Sequence, residues 1–179
     1  ATSTTATFTI EDTTAPAVMD AMDATVECDG AGNGADLEAW LASNGGASAT
    51  DACSGVTWSN DFDALSDDCG ATGAATVTFT ATDDCGNATS TTATFTIEDT
   101  TAPALIEPAV NFTSECAGEG NQDALNIWLD TNGGAEAEDA CSAITWTNNF
   151  ESLDTICGFA GSAEVTFVAM DDCGNETST

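Results

Sequence analysis

The side chains with chemistry to offer in this 179-residue sequence are eight cysteines and 31 carboxylates, and no Lys, Arg or His accompanies them. The cysteines fall at Cys28, Cys53, Cys69 and Cys85, then at Cys116, Cys141, Cys157 and Cys173, with spacings of 25, 16 and 16 in both sets. Such spacings are too wide for a local CxxC metal knuckle. A reactive thiolate needs a nearby cation or a helix N-terminus, and side-chain cations are missing. Disulfides remain, and they imply an oxidising, extracytoplasmic compartment. The carboxylates, with reference pKa values near 4, are ionised at neutral pH. No side chain can pair with them, so backbone N–H groups, hydroxyls, water and dissolved cations must balance a formal charge of −31. Oxygen donors without nitrogen or free sulfur suit a hard cation, calcium above all.

The same inventory excludes several functions. Nothing neutralises phosphates, so nucleic acid and anionic membrane surfaces are not partners. With 31 acids, some pair will stand at a glycosidase-like separation by accident, and no His, Lys or Tyr serves as another acid–base group. No phosphate-cradling glycine loop appears, and the chain reads as non-catalytic. High charge alone would suggest disorder, but 42% of residues are hydrophobic, including four Trp and eight Phe, which is enough for a core.

An internal repeat positions these groups. The segment Ala1–Ala17 recurs as Ala88–Ala104, and the two cysteine sets are 88 residues apart. That is a normal length for one β-sandwich domain. The expected organisation is the last strand of a preceding module plus linker at 1–12, a first module at 13–99, and a second at 100–179 lacking its last strand. Thr76–Thr82 alternates strictly, with Val77, Phe79 and Ala81 inward and threonines outward. Val165, Phe167 and Ala169 are the second copy. Ala93, Phe95 and Ile97 alternate likewise, as do Ala6, Phe8 and Ile10. Val56–Trp58 and Ile144–Trp146 read as further strands, and Asp83–Asn87 as a turn. Leu37, Trp40 and Leu41 at i, i+3 and i+4, closed by Asn44-Gly-Gly46, predict a short helix, matched by Leu125, Trp128 and Leu129. That spacing makes the tryptophans core residues rather than sugar-stacking platforms.

Four segments carry a family resemblance: Val77-Thr-Phe-Thr-Ala-Thr-Asp-Asp-Cys-Gly-Asn87, Ile97-Glu-Asp-Thr-Thr-Ala-Pro103, Val26-Glu-Cys-Asp-Gly30 and Trp40-Leu-Ala-Ser-Asn-Gly-Gly46. Together they resemble hyalin-repeat, immunoglobulin-like modules, most closely the repeated form in giant surface and secreted proteins of Bacteroidota. The resemblance implies immunoglobulin-like modules, and with the spacings above the expected fold is mainly β, of tandem sandwich modules each with one short helix and two disulfides. It also implies adhesion or filament building outside the cell. The second repeat departs from the pattern at Ile106-Glu-Pro108 and Ile156.

In a sandwich, the loop before the Val56 strand and the turn after the Val77 strand lie at one end, and they hold Cys53 and Cys85. Cys28 and Cys69 then fall towards the other end. The expected pairs are Cys53–Cys85 and Cys28–Cys69, with Cys141–Cys173 and Cys116–Cys157 in the second module. A Cys53–Cys85 bond would gather Asp51, Asp83 and Asp84 where the linker carrying Glu11 and Asp12 arrives, and Asn87 could add an amide oxygen. In the second module the same parts are Glu98, Asp99, Asp139, Asp171, Asp172 and Asn175. Calcium at these sites would stiffen the chain, although no EF-hand loop is present. Solvated turn acids with loosely held counterions are the competing reading. Thr13, Thr100 and Thr155 follow Asp in patterns resembling Bacteroidota O-glycosylation sites, and Asn87, Asn111 and Asn175 begin N-sequons.

The functional expectation is an extracellular structural repeat of a surface filament or adhesin shaft. Its partners are neighbouring copies of the module in the chain, and other chains in a filament. The alternative is an adhesin module binding a ligand or glycan.

Overall fold

The computed structural model of the protein describes residues 1–117 and 121–179. The described chain is mainly β and falls into two compact units. Unit 1 comprises Ala1–Val26, Asn33–Ser66 and Ala74–Ile97; unit 2 comprises Glu27–Gly32, Asp67–Gly73 and Glu98–Thr179. These limits follow contact and not the sequence repeat. The segments around Cys28 and Cys69, which belong to the first repeat by sequence, belong to unit 2 by packing.

Unit 1 begins with strands β1 (Ala17–Met19) and β2 (Ala24–Glu27), helix α1 (Gly34–Ala42), and strands β3 (Ser48–Thr50) and β4 (Val56–Asn60). Two long strands follow, β5 (Gly73–Asp83) and β6 (Ala88–Glu98). β1 pairs with β3, and a second sheet has the order β2-β6-β5-β4. Antiparallel pairing sets Trp58 opposite Ala81 and Val56 opposite Asp83. Alternation puts Val77, Phe79 and Ala81 of β5 and Ala93, Phe95 and Ile97 of β6 in the core. The other face carries hydroxyls that bond across strands, Thr76 with Thr94 and Thr80 with Ser90, both at 2.9 Å. Neutral threonine ladders spare this acidic chain any charge repulsion on its sheet.

The helix forms where the apolar spacing predicts it and ends in a short 3-10 turn at Asn44–Gly46. Trp40 stands edge-on to Phe79, with ring centroids 5.2 Å apart, and lies 5.5 Å from Phe95. Its indole N–H donates to the Met22 carbonyl at 3.1 Å, so the ring's one polar atom is satisfied as burial requires. Gly45 closes the turn at φ +65, and an added Cβ there would sit 3.0 Å from Ala21 and 3.1 Å from Phe79. Only glycine meets both demands.

Unit 2 repeats the plan with β7 (Ala104–Glu107), α2 (Gln122–Asp130), β8 (Glu136–Glu138), β9 (Ile144–Asn148), β10 (Asp154–Cys157), β11 (Ala160–Ser162), β12 (Phe167–Asp171) and β13 (Glu176–Ser178). β7 pairs with β8, β10 with β11, and a third sheet has the order β13-β12-β9. Phe167 and Ala169 are fully buried, and Trp128 stands edge-on to Phe167 at 5.2 Å. Val165 is half-buried and precedes β12, although its alternation matches Val77. β13 pairs with β12 from Val168 to Met170, and Phe167 and Thr179 exchange backbone bonds at 3.0 Å, so the pairing stops two residues short of Val165.

The segment Ala1–Ile10 differs from the expected strand. It has the same ten residues as Ala88–Ile97, yet it forms no strand, and Phe8 is 88% exposed. A strand needs a neighbouring ladder for its backbone groups. β6 has β2 and β5 on its two sides, whereas Ala1–Ile10 pairs with no strand among the described residues.

Candidate functional site: paired carboxylate clusters and cysteines

The acids before the cysteines build turns. Asp51 Oδ1 accepts the N–H groups of Cys53 and Ser54 at 2.8 and 3.0 Å. Asp139 Oδ1 accepts those of Cys141 and Ser142 at 2.8 and 2.9 Å. Asp83 takes the Cys85 and Asn87 N–H groups on Oδ1 and the Asn87 side-chain amide on Oδ2, at 2.8 to 2.9 Å. Asp171 receives Asn175 through its backbone at 2.8 Å and its side chain at 2.7 Å. Burial pushes the Asp83 and Asp171 carboxyls up, but these donors outweigh it, and both titrate below the usual range. In a chain without bases, backbone N–H groups take the place of counter-charges.

The linker acids are different. Asp99 Oδ1 accepts the Thr101 N–H at 3.2 Å, while buried Oδ2 has no hydrogen-bond partner among the described residues. Asp12 repeats this, with Oδ1 bonded to the Thr14 N–H at 3.1 Å and Oδ2 buried without a partner. One carboxylate oxygen from each of Asp99 and Asp139 lies within 4.8 Å of the other and of the Cys141 sulfur. Asp12, Asp51 and Cys53 form the equivalent group. Two charges at that separation repel by roughly 3.5 kcal/mol at an effective dielectric of 20. Burial, followed by the charges of Asp139, Asp171 and Glu27, raises the Asp99 carboxyl above its ordinary value despite the Thr101 bond. Asn175 ties the parts together, donating to Asp171 Oδ2 and to the Asp99 carbonyl at 3.0 Å. Asn87 does the same for Asp83 and the Asp12 carbonyl.

The remaining expected ligands, Glu11, Asp84, Glu98 and Asp172, are exposed and stand outside the two close groups. The Asn87 and Asn175 amides are engaged as donors. Glu27 is a residue that the sequence reading missed. Its carboxylate accepts the Thr100 N–H and hydroxyl, both at 2.9 Å, and the Thr101 hydroxyl at 2.7 Å. The Thr100 N–H, then the two hydroxyls, hold it below its ordinary pKa. Its signal was a Glu directly before the first cysteine of each set, Glu27 and Glu115.

The expected disulfide pairing is corrected. Cys28 is bonded to Cys141 and Cys69 to Cys173, with Cα separations of 6.1 and 5.2 Å. Cys28–Cys69 and Cys141–Cys173 are therefore not formed, and Cys53, Cys85, Cys116 and Cys157 are exposed free thiols in place of Cys53–Cys85 and Cys116–Cys157. The physical reason lies in the packing of unit 2. The Cys28 N–H donates to Glu98 O at 2.7 Å, and the Ala71 N–H donates to Cys141 O at 2.8 Å. Gly70, at φ +59, comes so close to the Cys141 carbonyl and Ser142 that an added Cβ would lie within 2.6 Å of both. These approaches bring Cys28 and Cys69 to the second repeat's cysteines. Cys53 and Cys85 do share one end of unit 1: burial first, then Asp12, Asp83, Asp84 and Cys53, raise the Cys85 thiol.

With its sulfur in a disulfide, Cys141 offers no thiolate, so the donors beside Asp99 are oxygens, which fits a hard cation rather than zinc or copper. Of the expected glycosylation positions, Thr13 and Thr155 are exposed, whereas the Thr100 hydroxyl is committed to Glu27. Among the described residues, no helix is long and apolar enough to cross a membrane. No protein-family model matches the chain, and no curated protein matches it.

Proposed function

We propose that this chain is a length of an extracellular, non-catalytic repeat array. In this reading immunoglobulin-like β-sandwich modules follow one another in a surface filament or adhesin shaft. Each repeat is locked to the next by two disulfides and by calcium held at the carboxylates that open it. The observation that carries the reading is the Asp99 carboxylate, buried beside Asp139 with Oδ2 unpartnered among the described residues in a chain that has no side-chain cation. A buried charge left in that state is costly, and a hard cation relieves it. The turn acids Asp51, Asp83, Asp139 and Asp171 are accounted for by their backbone bonds, whereas Asp12 and Asp99 each accept one backbone N–H on Oδ1 and bury an Oδ2 without a hydrogen-bond partner among the described residues. Asp99 and Asp139 would hold the ion in one cluster, Asp12 and Asp51 in the other. When bound, calcium supplies positive charge and a fixed coordination shell, not catalysis.

Disulfides support the same reading. Bonds spanning 113 and 104 residues join the first repeat's cysteines to the second's. They fasten repeats in series, as suits an array whose stability comes from nearest neighbours. The test is thermal unfolding with millimolar calcium against chelator. Calcium should raise the midpoint by several degrees, reversibly, with heat of binding in calorimetry. Identical melting curves and no binding heat would end the calcium reading.

A further inference from the structure

We infer that Cys53 with Cys85, and Cys116 with Cys157, are the two complementary halves of one covalent junction whose partner is a second copy of this repeat. The inference rests on the array reading above and names the contact by which an array is extended.

Each free thiol has a bonded counterpart one repeat away. Cys53 corresponds to Cys141 and Cys85 to Cys173, while Cys116 corresponds to Cys28 and Cys157 to Cys69. The leading half is built alike in both copies. Asp51 clasps the Cys53 and Ser54 N–H groups as Asp139 clasps those of Cys141 and Ser142. Ser54 Oγ accepts the Asp84 N–H at 3.2 Å, as Ser142 Oγ accepts that of Asp172 at 3.1 Å. Thr13 and Thr14 stand where Thr100 and Thr101 receive Glu27, and Glu115 precedes Cys116 as Glu27 precedes Cys28.

The trailing half carries an independent mark. Gly70 adopts φ +59 against the Cys141 carbonyl, where a Cβ would collide. Its counterpart Gly158 adopts φ +56, yet a Cβ there would meet nothing within 4 Å among the described residues. Ile156 and Phe159, flanking this turn, are 73% and 69% exposed. Backbone shaped for a close approach, a free thiol and exposed apolar side chains thus occur together, with none of the described residues packed against Gly158.

The bonds formed are Cys116 to Cys53 of the second copy and Cys157 to Cys85 of the second copy. Each joins two thiols, releasing two protons and two electrons. A small disulfide oxidant such as oxidised glutathione accepts them and becomes two thiols.

The experiment uses two variants of this 179-residue chain in a glutathione redox buffer. Cys53→Ser/Cys85→Ser blocks the leading half, and Cys116→Ser/Cys157→Ser blocks the trailing half. Each alone should remain monomeric on non-reducing gels, and an equimolar mixture should give a covalent dimer. Unsubstituted chain should give a ladder of multimers, with Cys53–Cys116 and Cys85–Cys157 linked peptides in mass spectra. Monomers in the mixture, or Cys53–Cys85 and Cys116–Cys157 linked within one chain, would overturn the inference. The same spectra report on Cys28–Cys141 and Cys69–Cys173. Loss of those two pairs would sink the array reading itself, whereas their presence without the intermolecular pairs would sink only this extension.

Discussion

Asp12 and Asp99 hold the same place in two copies of one repeat, with the same turn, the same asparagine on their carbonyl and the same unpartnered oxygen. Their surroundings differ. Asp12 is half-buried beside Asp51 and the free thiol of Cys53. Asp99 is buried beside Asp139 and a cysteine bonded to Cys28. Around Asp99 the Cys28 N–H donates to the Glu98 carbonyl and Glu27 accepts from Thr100 and Thr101; Asp99 itself is buried, and burial raises its carboxyl. The local turn sequence thus fixes where the carboxylates stand, while the neighbouring segment sets how far they are withdrawn from water.

Removing a disulfide breaks the comparison most severely. Cys28→Ser frees Cys141 and makes the second cluster resemble the first. Chain-entropy models assign a closed loop of about 100 residues roughly 4–5 kcal/mol. Denaturant unfolding followed by tryptophan fluorescence should show a loss of that order for Cys28→Ser. Cys53→Ser, at an exposed free thiol, should change stability by less than about 0.5 kcal/mol. Equal midpoints for the two variants would mean that the Cys28 bond contributes nothing particular to unit 2.

The core elements were legible in the sequence because they are local. Period-two alternation found Val77, Phe79 and Ala81, and helical spacing found Trp40 and Leu41. The disulfide partners were not legible, for a reason specific to periodic chains. Spacing identifies which cysteines are equivalent, but it does not distinguish a partner in the same repeat from the corresponding cysteine one repeat on. Strand direction correctly put Cys53 and Cys85 at one end, but sharing an end is not the same as sharing a bond. Alternation likewise marks Phe8 and Phe95 identically, since it reports which face a side chain would take if a ladder forms, not whether a neighbour exists. The candidate ligands were found as a crowd of acids. Separating turn-builders such as Asp83 from the unpartnered Asp99 needed the hydrogen bonds themselves.

Asparagine substitutions probe what the two clusters share. Asn175→Ala removes the donor that joins Asp171 Oδ2 to the Asp99 carbonyl. Losing a hydrogen bond to a charged group typically costs about 1.5–3 kcal/mol. Asn87→Ala should cost less, because its bond to the Asp12 carbonyl is longer, at 3.2 Å, and that cluster is more exposed. Thermal denaturation in calcium-free buffer measures both. An Asn87→Ala loss equal to or larger than that of Asn175→Ala would show that burial does not separate the two copies.

The smallest effect tests the charge itself. Asp99→Asn should be more stable than the unsubstituted chain in chelator at neutral pH, by about 1 kcal/mol, because a buried carboxylate becomes a neutral amide of similar size. It should also lose much of the calcium shift, while Asp12→Asn changes both quantities less. The sign of the pH dependence follows from the raised Asp99 pKa. Above its folded pKa the ionised group destabilises the fold in full. As pH falls through that value towards the unfolded carboxyl range, Asp99 takes up a proton in the folded state first, and the penalty disappears. The gap between the two proteins should therefore close on acidification. Asp83 and Asp171, lowered by their amide donors, act in the opposite sense: their stabilisation is present above the unfolded pKa and lost as pH falls through the folded one. Both proteins carry these two acids, so their loss cancels in the difference. Melting temperatures of the pair measured across the acid limb isolate Asp99, and a gap that stays constant or widens on acidification would mean that its carboxylate is not the strained group.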